Sequence, residues 1–160
     1  MVVKLVSRLM NIALFRAGPD QLPASSFLLT LLFGFWLFER IPIAYLNTQS
    51  NNQSFFINFS AYVLYAVFIF GFFHIALQRL QLGNRFNQTI TAYFGCEALI
   101  DLSVFLAVIV GFESPIGLLL NGLNLIWCMA LLGFIIHCAF NISKLEGFIH
   151  GILVHLFIQI

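Results

Sequence analysis

Two carboxylates lie inside an otherwise apolar stretch of the chain that runs from Thr91 to Phe112 (TAYFGCEALIDLSVFLAVIVGF). They belong to Glu97 and Asp101, which are four residues apart and therefore share one face of a helix. An acidic residue at the centre of a membrane helix costs roughly 2.5–3.5 kcal/mol, whereas a large aliphatic residue or Phe contributes only about 0.3–0.6 kcal/mol to insertion. The two acids thus cancel the insertion energy of the stretch. We predict that neighbouring helices enclose this face, which puts the stretch at the centre of a helical bundle.

A second face of the same stretch carries small residues at four-residue spacing, Ser103, Ala107 and Gly111. Small residues so spaced let another helix approach closely. The stretch is therefore expected to pack against protein on two sides.

The composition places the whole chain in a membrane. Of its 160 residues, 61% are hydrophobic and only 8% are charged, whereas a soluble domain has about 25% charged residues. The net charge of +1 excludes nucleic-acid binding through a basic surface. We therefore predict an all-α, polytopic membrane bundle in which residues 1–160 form a single domain within the lipid bilayer.

The apolar runs predict an amphipathic helix over residues 2–16 and five membrane spans. The spans lie at about 27–46, 55–80, 91–112, 117–140 and 145–160. As a helix the last segment is only about 24 Å long, which is short for a hydrocarbon core of about 30 Å, so it either spans at a thin place or stops partway. Gly147 and Gly151 in this segment are spaced for close helix packing.

The N-terminal helix carries one polar stripe, made by Lys4, Ser7, Arg8 and Asn11. A basic amphipathic helix of this kind lies on the cytoplasmic membrane surface, where its cations meet anionic headgroups. The alternative is a helix that packs against the bundle. Lys4, Arg8 and Arg16 are the candidate membrane-surface residues.

The distribution of cations predicts the topology. Lys4, Arg8 and Arg16 precede the first span, Arg79 and Arg85 lie between the second and third, and Lys144 follows the fourth, while the other loops have no cation. Positive loops face the cytoplasm. With five spans, the N-terminus is cytoplasmic and the C-terminus is on the opposite side.

The first span contains its own charged pair, Glu39 and Arg40, just before Pro42. Proline removes a backbone hydrogen bond, so the regular helix is expected to kink or end there, and the polar segment Asn47–Ser54 is predicted to be a loop. Two interpretations of the pair are open. Both side chains reach the outer interface, or Arg40 is drawn inward to pair with Asp101.

Depth along the helices groups the other polar residues into a candidate intramembrane network. At about 1.5 Å per residue, Asp101 falls near Glu39, Arg40 and Asn124, and a shallower layer contains Glu97, His74 and His137. Asn121 shares one side of the fourth span with Asn124. The full set is Glu97, Asp101, Arg40, Glu39, Asn121, Asn124, His74 and His137. Such layers serve as interhelical contacts, as a surface for a partner subunit, or as a proton path.

Catalytic and metal-binding motifs are absent from the sequence. There is no H-E-x-x-H, G-x-S-x-G or Walker motif, so no catalytic residue and no metal ligand is predicted. Cys96, Cys128 and Cys138 all fall in apolar runs and indicate free thiols rather than disulfides. Cofactors stay undetermined, since single histidines on different helices can meet around a haem or a quinone.

The loop after the N-terminal helix has a distinctive pattern, R-x-G-P-x-x-L-P-x-S, from Arg16 to Ser25. With the short amphipathic helix before it and the apolar run after it, this pattern resembles the start of small, uncharacterised bacterial inner-membrane proteins. The overall plan resembles the Yip-type family, which has a cytoplasmic N-terminus and five helices. The resemblance implies a non-catalytic membrane protein with a role in organisation or assembly, and it transfers no functional residue. Together with the predicted topology, it places the chain in a bacterial inner membrane with a periplasmic C-terminus.

Three functions follow as hypotheses. The first is a non-enzymatic accessory or scaffold subunit of an inner-membrane complex, which docks on other membrane subunits or on its own copies through the third span and the N-terminal helix. The second is a small transporter or proton conduit that uses Glu97 and Asp101. The third is an intramembrane enzyme, for which a bound cofactor in an absorption spectrum would be the sign.

Overall fold

The computed structural model describes the backbone of residues 2–51, 53–110 and 114–158, and the side chains of residues 3–48, 53–102 and 114–157. Within these ranges the chain is all-helical. The helices are α1 (Val2–Ala13), α2 (Ser26–Asn51), α3 (Phe55–Arg79), α4 (Phe86–Val110), α5 (Pro115–Phe140) and α6 (Lys144–Ile158), with short 3₁₀ turns at Pro19–Gln21 and Gly83–Arg85.

Three helices in the described part of the chain are long and apolar enough to cross a membrane. They are α2 over Ser26–Thr48, α3 over Phe55–Arg79 and α5 over Pro115–Phe140. The prediction of a helical membrane bundle is confirmed at this level. The predicted small-residue face of Ser103, Ala107 and Gly111 lies outside the described side chains, as do the last residues of the predicted fifth span.

The described half of α4 lies at the centre of the bundle, as the sequence predicts. From Thr89 to Asp101 every residue except Leu99 is buried. Helices α1, α2, α3 and α5 all pack against α4. Glu97 and Asp101 are only 6% and 4% exposed. Protein groups, and not lipid, therefore surround their carboxylates.

Helix α1 packs on α4 with one face and exposes its cations on the other. Leu9, Ile12 and Ala13 are buried, and the Cys96 thiol donates to the Leu9 carbonyl at 3.3 Å. A Cβ atom added at Gly95 would lie 2.9 Å from the end of the Leu9 side chain, so α1 lies close to α4 at this position. Lys4, Arg8 and Arg16, the predicted membrane-surface residues, are exposed.

Helix α2 continues past residue 46, where the predicted first span ends. It does not end at Pro42 but runs through it to Asn51, so residues 47–51 are not the predicted loop. The polar side chains beyond the proline are bonded to neighbours: Asn47 donates to the Tyr62 hydroxyl at 3.0 Å, and Thr48 accepts from Asn58 at 3.1 Å. These bonds to α3 stabilise two further helical turns that hydrophobicity alone does not indicate.

Side-chain caps fix the ends of the other helices. The hydroxyls of Ser54 and Ser114 accept backbone N–H groups at the starts of α3 and α5, as N-cap residues do. Ser143 and Glu146 form a reciprocal capping box at the start of α6. Asn141 ends α5 in the left-handed conformation, with φ 56°, which asparagine tolerates.

Helices α5 and α6 form a hairpin with backbone in contact with backbone. A Cβ atom added at Gly133 would lie 2.7 Å from the Phe148 Cα atom, and one added at Gly151 would lie 2.5 Å from the Gly133 nitrogen. The close packing predicted for Gly147 and Gly151 is confirmed, and Gly133 is their partner on α5. Because α6 has only 15 residues, its attachment to α5 depends on this close backbone contact.

Substitution of Gly133 by alanine is expected to lower the free energy of unfolding by about 1–2 kcal/mol, because the added methyl group meets rigid backbone. Gly122→Ala on the same helix is the matched control, since nothing lies within 4 Å of that position. It should leave stability unchanged or raise it slightly. The free energy of unfolding of both variants is measured in mixed micelles of mild detergent and SDS. Equal stability of the two variants would contradict the close α5–α6 contact.

Candidate functional site

A buried ion pair joins α2 to α4. The guanidinium Nη2 of Arg40 donates to Asp101 Oδ2, and the same nitrogen lies 3.9 Å from Glu97 Oε2. Arg40 is 8% exposed. The inward position of Arg40, one of the two predicted interpretations, is confirmed, and it places one cation between two carboxyl groups.

Aromatic rings enclose the same guanidinium. The Cζ atom of Arg40 lies 4.6 Å from the ring centroid of Trp36 and 5.3 Å from that of Tyr62. Both distances are within the range of cation–π attraction. Trp36 precedes Arg40 by one helical turn on α2, so the ring and the cation share one face of that helix.

Glu97 is bonded to two tyrosines. The hydroxyl groups of Tyr65 and Tyr93 approach Glu97 Oε1 at 2.8 and 3.1 Å, and they also contact each other. Tyr93 lies one turn before Glu97 on α4, and Tyr65 reaches across from α3. Three oxygen atoms from two helices therefore form a closed triangle.

These groups line a cleft of about 390 Å³. Helices α2 to α6 all contribute to it, and its lining includes two of the predicted asparagines, Asn121 and Asn124. Within the described part of the chain, three buried polar atoms of lining residues have no hydrogen-bond partner, namely Trp36 Nε1, Arg40 Nε and Glu97 Oε2. Buried polar groups are normally satisfied by protein, water or ligand. The cleft therefore has both donors and an acceptor available for a polar occupant.

An aromatic layer lies between the cleft and the end of the bundle where α2 and α4 begin. Phe94 is fully buried and its ring lies 5.0 Å from Phe33, 4.8 Å from Trp36 and 5.3 Å from Phe70, centroid to centroid. Phe33 and Phe94 precede Arg40 and Glu97 on their helices, while Phe70 follows Tyr65 on the antiparallel α3. The layer thus separates the cleft from that end of the bundle.

Two predicted members of the network lie elsewhere. His74 is exposed, with its ring against Phe86, and His137 contacts the Ile142 carbonyl through Nδ1 at 2.5 Å. Each follows a cleft residue, Tyr65 or Cys128, by nine residues, which is about 180° around a helix. Matching depth brought them into the predicted layer, but they face the other way.

Glu39 is buried at 5% exposure but does not line the cleft. Its Oε2 atom has no hydrogen-bond partner among the described residues. Of the two interpretations of the charged pair, an exposed position at the outer interface is wrong for Glu39, because its side chain is buried and α2 continues well beyond it.

Several residues in or beside the cleft are absent from the predicted network. Trp36, Tyr62, Tyr65, Cys128 and His155 line the cleft, and Tyr93 is bonded to Glu97 beside it. Some carry a signal in the sequence. Tyr93, Glu97 and Asp101 recur every four residues, as do Trp36 and Arg40, so an aromatic ring stands one turn before a charge in both helices. His155 has no such signal, because its place depends on how α6 packs against α5.

Among the described side chains, no group of three His, Cys, Asp or Glu residues is arranged to hold a metal ion. The cysteines are free thiols. The second large cleft, about 570 Å³, lies near the loops at the other end of α5. There the Arg85 guanidinium donates to the Cys138 and Ala139 carbonyls and to Asn141 Oδ1, so this arginine caps a helix C-terminus.

The fold and the site define a class: a helical membrane protein with a buried arginine–carboxylate cluster in an aromatic cleft. No protein-family model, no curated protein and no solved structure matches the chain.

Proposed function

We propose that the protein is a small membrane transporter that moves protons across the bilayer through the cleft, with Glu97 and Asp101 as the proton-carrying groups and no enzymatic activity. The observation that carries this proposal is the cleft itself, in which two buried carboxyl groups face one arginine in a bundle with three helices apolar enough to cross a membrane. Ionisable groups inside a membrane-spanning bundle are costly and mark ion and proton pathways in membrane proteins.

In the proposed topology five helices span the membrane, since α4 and α6 cross it alongside α2, α3 and α5. The N-terminus is cytoplasmic and the C-terminus is periplasmic in a bacterial inner membrane. Arg16, Arg79, Arg85 and Lys144 at one end of the bundle support this orientation, since cytoplasmic loops are rich in Lys and Arg. In this orientation the aromatic layer lies on the cytoplasmic side of the cleft.

Proton flux into liposomes tests the proposal. The full-length protein is reconstituted around a trapped pH-sensitive dye, and a potassium gradient with valinomycin imposes a membrane potential. We expect acidification well above that of protein-free liposomes, and we expect Glu97→Gln to reduce the protein-dependent rate at least tenfold, because glutamine keeps the shape but binds no proton.

Glu39→Gln is the matched control, since it removes the same group at similar depth on α2 but outside the cleft. It should retain most of the wild-type rate. Equal flux in the wild type, Glu97→Gln and Asp101→Asn would overturn the proposal.

An accessory or scaffold role is the second candidate. The predicted docking route through α4 and α1 has little support, because α1, α2, α3 and α5 cover the described half of α4. The first half of α5 is the better candidate surface. It exposes Leu118, Leu119, Leu123 and Ile126, and Asn121 is half-buried beside them. Capture of a stoichiometric partner from native membranes, lost with Asn121→Leu, would favour this role.

A further inference from the structure

The charges in the cleft do not balance when all its acids are ionised. Asp101 is bonded directly to Arg40, whereas Glu97 Oε2 lies 3.9 Å from the same nitrogen and has no hydrogen bond within the described part of the chain. One guanidinium therefore serves two carboxyl groups. A single excess charge in a low-dielectric site is costly unless a proton or another cation neutralises it.

The hydrogen bonds indicate which acid carries the neutralising proton. Asp101 is bonded directly to the Arg40 guanidinium, whereas Tyr65 and Tyr93 each donate their one hydroxyl hydrogen to Glu97 Oε1. The other oxygen of Glu97, Oε2, has no hydrogen-bond partner among the described residues. A proton on Glu97 Oε2 makes the cluster neutral, with Arg40 paired to Asp101.

The rest of the cleft is suited to an organic cation. Tyr62 and Tyr65 contribute aromatic rings to its lining, which attract cations, and Glu97 Oε2 becomes an acceptor without a partner once its proton is released. The volume of about 390 Å³ is within the range of small-molecule sites. The guanidinium of Arg40 is itself a cation held in this way, because it lies between aromatic rings and carboxylates.

We infer that the cleft binds a small organic ammonium ion, R–NH₃⁺, whose N–H groups donate to Glu97, and that each ion bound releases one proton from the Glu97 carboxyl group to water. This inference deepens the proposed function, since it assigns a ligand class to the same cleft. Arg40 keeps Asp101 neutralised, so Glu97 alone exchanges its proton for the ligand.

Other titratable and charged groups face Glu97 from every neighbouring helix. They are Arg40 on α2, Tyr62 and Tyr65 on α3, Tyr93 and Asp101 on α4, Cys128 on α5 and His155 on α6. Glu39 is buried on α2 outside the cleft. His155→Gln is therefore included in the test. If Glu97 is the exchanging group, this variant still releases one proton for each ion bound.

Trp36 is a built-in reporter of binding. The chain has two tryptophans, and Trp127 lies outside the cleft, where its Nε1 donates to the Ala13 carbonyl at 2.9 Å. The Trp127→Phe protein in detergent micelles then emits from Trp36 alone. We titrate it with n-butylammonium, with the neutral butyramide and with the anion butyrate. Saturable quenching or enhancement by butylammonium, at least tenfold tighter than with the other two probes, is expected.

Proton release is measured in the same titration with a pH dye in weak buffer. We expect about one proton per butylammonium bound, and we expect Glu97→Gln to abolish the release and to weaken binding at least tenfold. Glu97→Asp keeps a carboxyl group and should retain the release with weaker binding, which provides a second readout if the glutamine variant fails to fold. Equal affinity for the three probes, or binding without proton release, would overturn the inference.

The outcomes also separate this inference from the transport proposal. Ammonium binding with proton release, but without flux in liposomes, overturns the transport proposal and leaves the inference standing. Glu97-dependent flux without selective ammonium binding overturns the inference and leaves proton transport standing.

Discussion

Replacement of Arg40 by methionine is expected to lower the free energy of unfolding by about 3–5 kcal/mol, the cost of removing one partner from a buried ion pair. Methionine replaces the aliphatic part of the arginine side chain and fills part of the same volume, so the loss arises mainly from charge. Asp101 and Glu97 stay behind at 4% and 6% exposure, and Trp36 and Tyr62 lose the cation that their rings contact.

A double variant separates charge from packing. Arg40→Met combined with Asp101→Leu removes both members of the direct pair, and an apolar replacement of a whole pair is often neutral. We therefore expect the double variant to recover at least half of the stability lost by Arg40→Met. Unfolding in mixed detergent–SDS micelles gives all the values of this cycle.

Arg79→Met is the control, since Arg79 is exposed at the end of α3. Its effect should be within about 0.5 kcal/mol, as is usual for surface substitutions. If Arg40→Met were as mild as Arg79→Met, or if the double variant were less stable than Arg40→Met alone, the buried pair would not hold α2 to α4.

The centre of this site could be predicted from sequence because carboxylates inside an apolar stretch are expensive. That cost alone requires partners for Glu97 and Asp101, and Arg40 was the charged candidate at matching depth. Depth along the helices does not say in which direction a side chain points, however. It put His74 and His137 in the same layer, although both face away from the cleft.

The tyrosines of the site were not predicted, for a different reason. Tyrosine is amphipathic and is enriched at membrane interfaces, so Tyr65 and Tyr93 do not have the high insertion cost that marks an acid. Only their spacing relative to Glu97 marks them, and for Tyr65 even that needs the α3–α4 packing. The end of α2 shows the same limit, because its last turns depend on hydrogen bonds to α3.

The helix positions were more predictable than the site. The apolar runs predict α3 and α5 to within two residues at each end, since insertion energy is a local property. The serine caps at the starts of both helices were not predicted. Five spans stay a prediction, with three helices long and apolar enough in the described part of the chain.

Replacement of Phe94 by alanine tests whether the aromatic layer seals the cleft. Phe94 is fully buried among Phe33, Trp36 and Phe70, so the deletion leaves a cavity inside rigid protein. A cavity costs about 24 cal/mol per Å³, which gives about 2–3 kcal/mol for the roughly 100 Å³ removed. Little is added by a transfer term, because the unfolded chain in a micelle keeps its apolar side chains in an apolar medium.

Phe38→Ala is the matched control, since Phe38 lies on α2 with 67% of its side chain exposed and its removal opens no cavity. It should change stability by less than about 0.5 kcal/mol. The two variants also differ in function if the layer is the barrier. In the liposome assay Phe94→Ala should raise the proton leak and make it independent of Glu97, because water reaches the cleft from both sides, whereas Phe38→Ala should behave as the wild type. A folded Phe94→Ala protein that keeps a tight, Glu97-dependent flux would place the barrier elsewhere along the cleft.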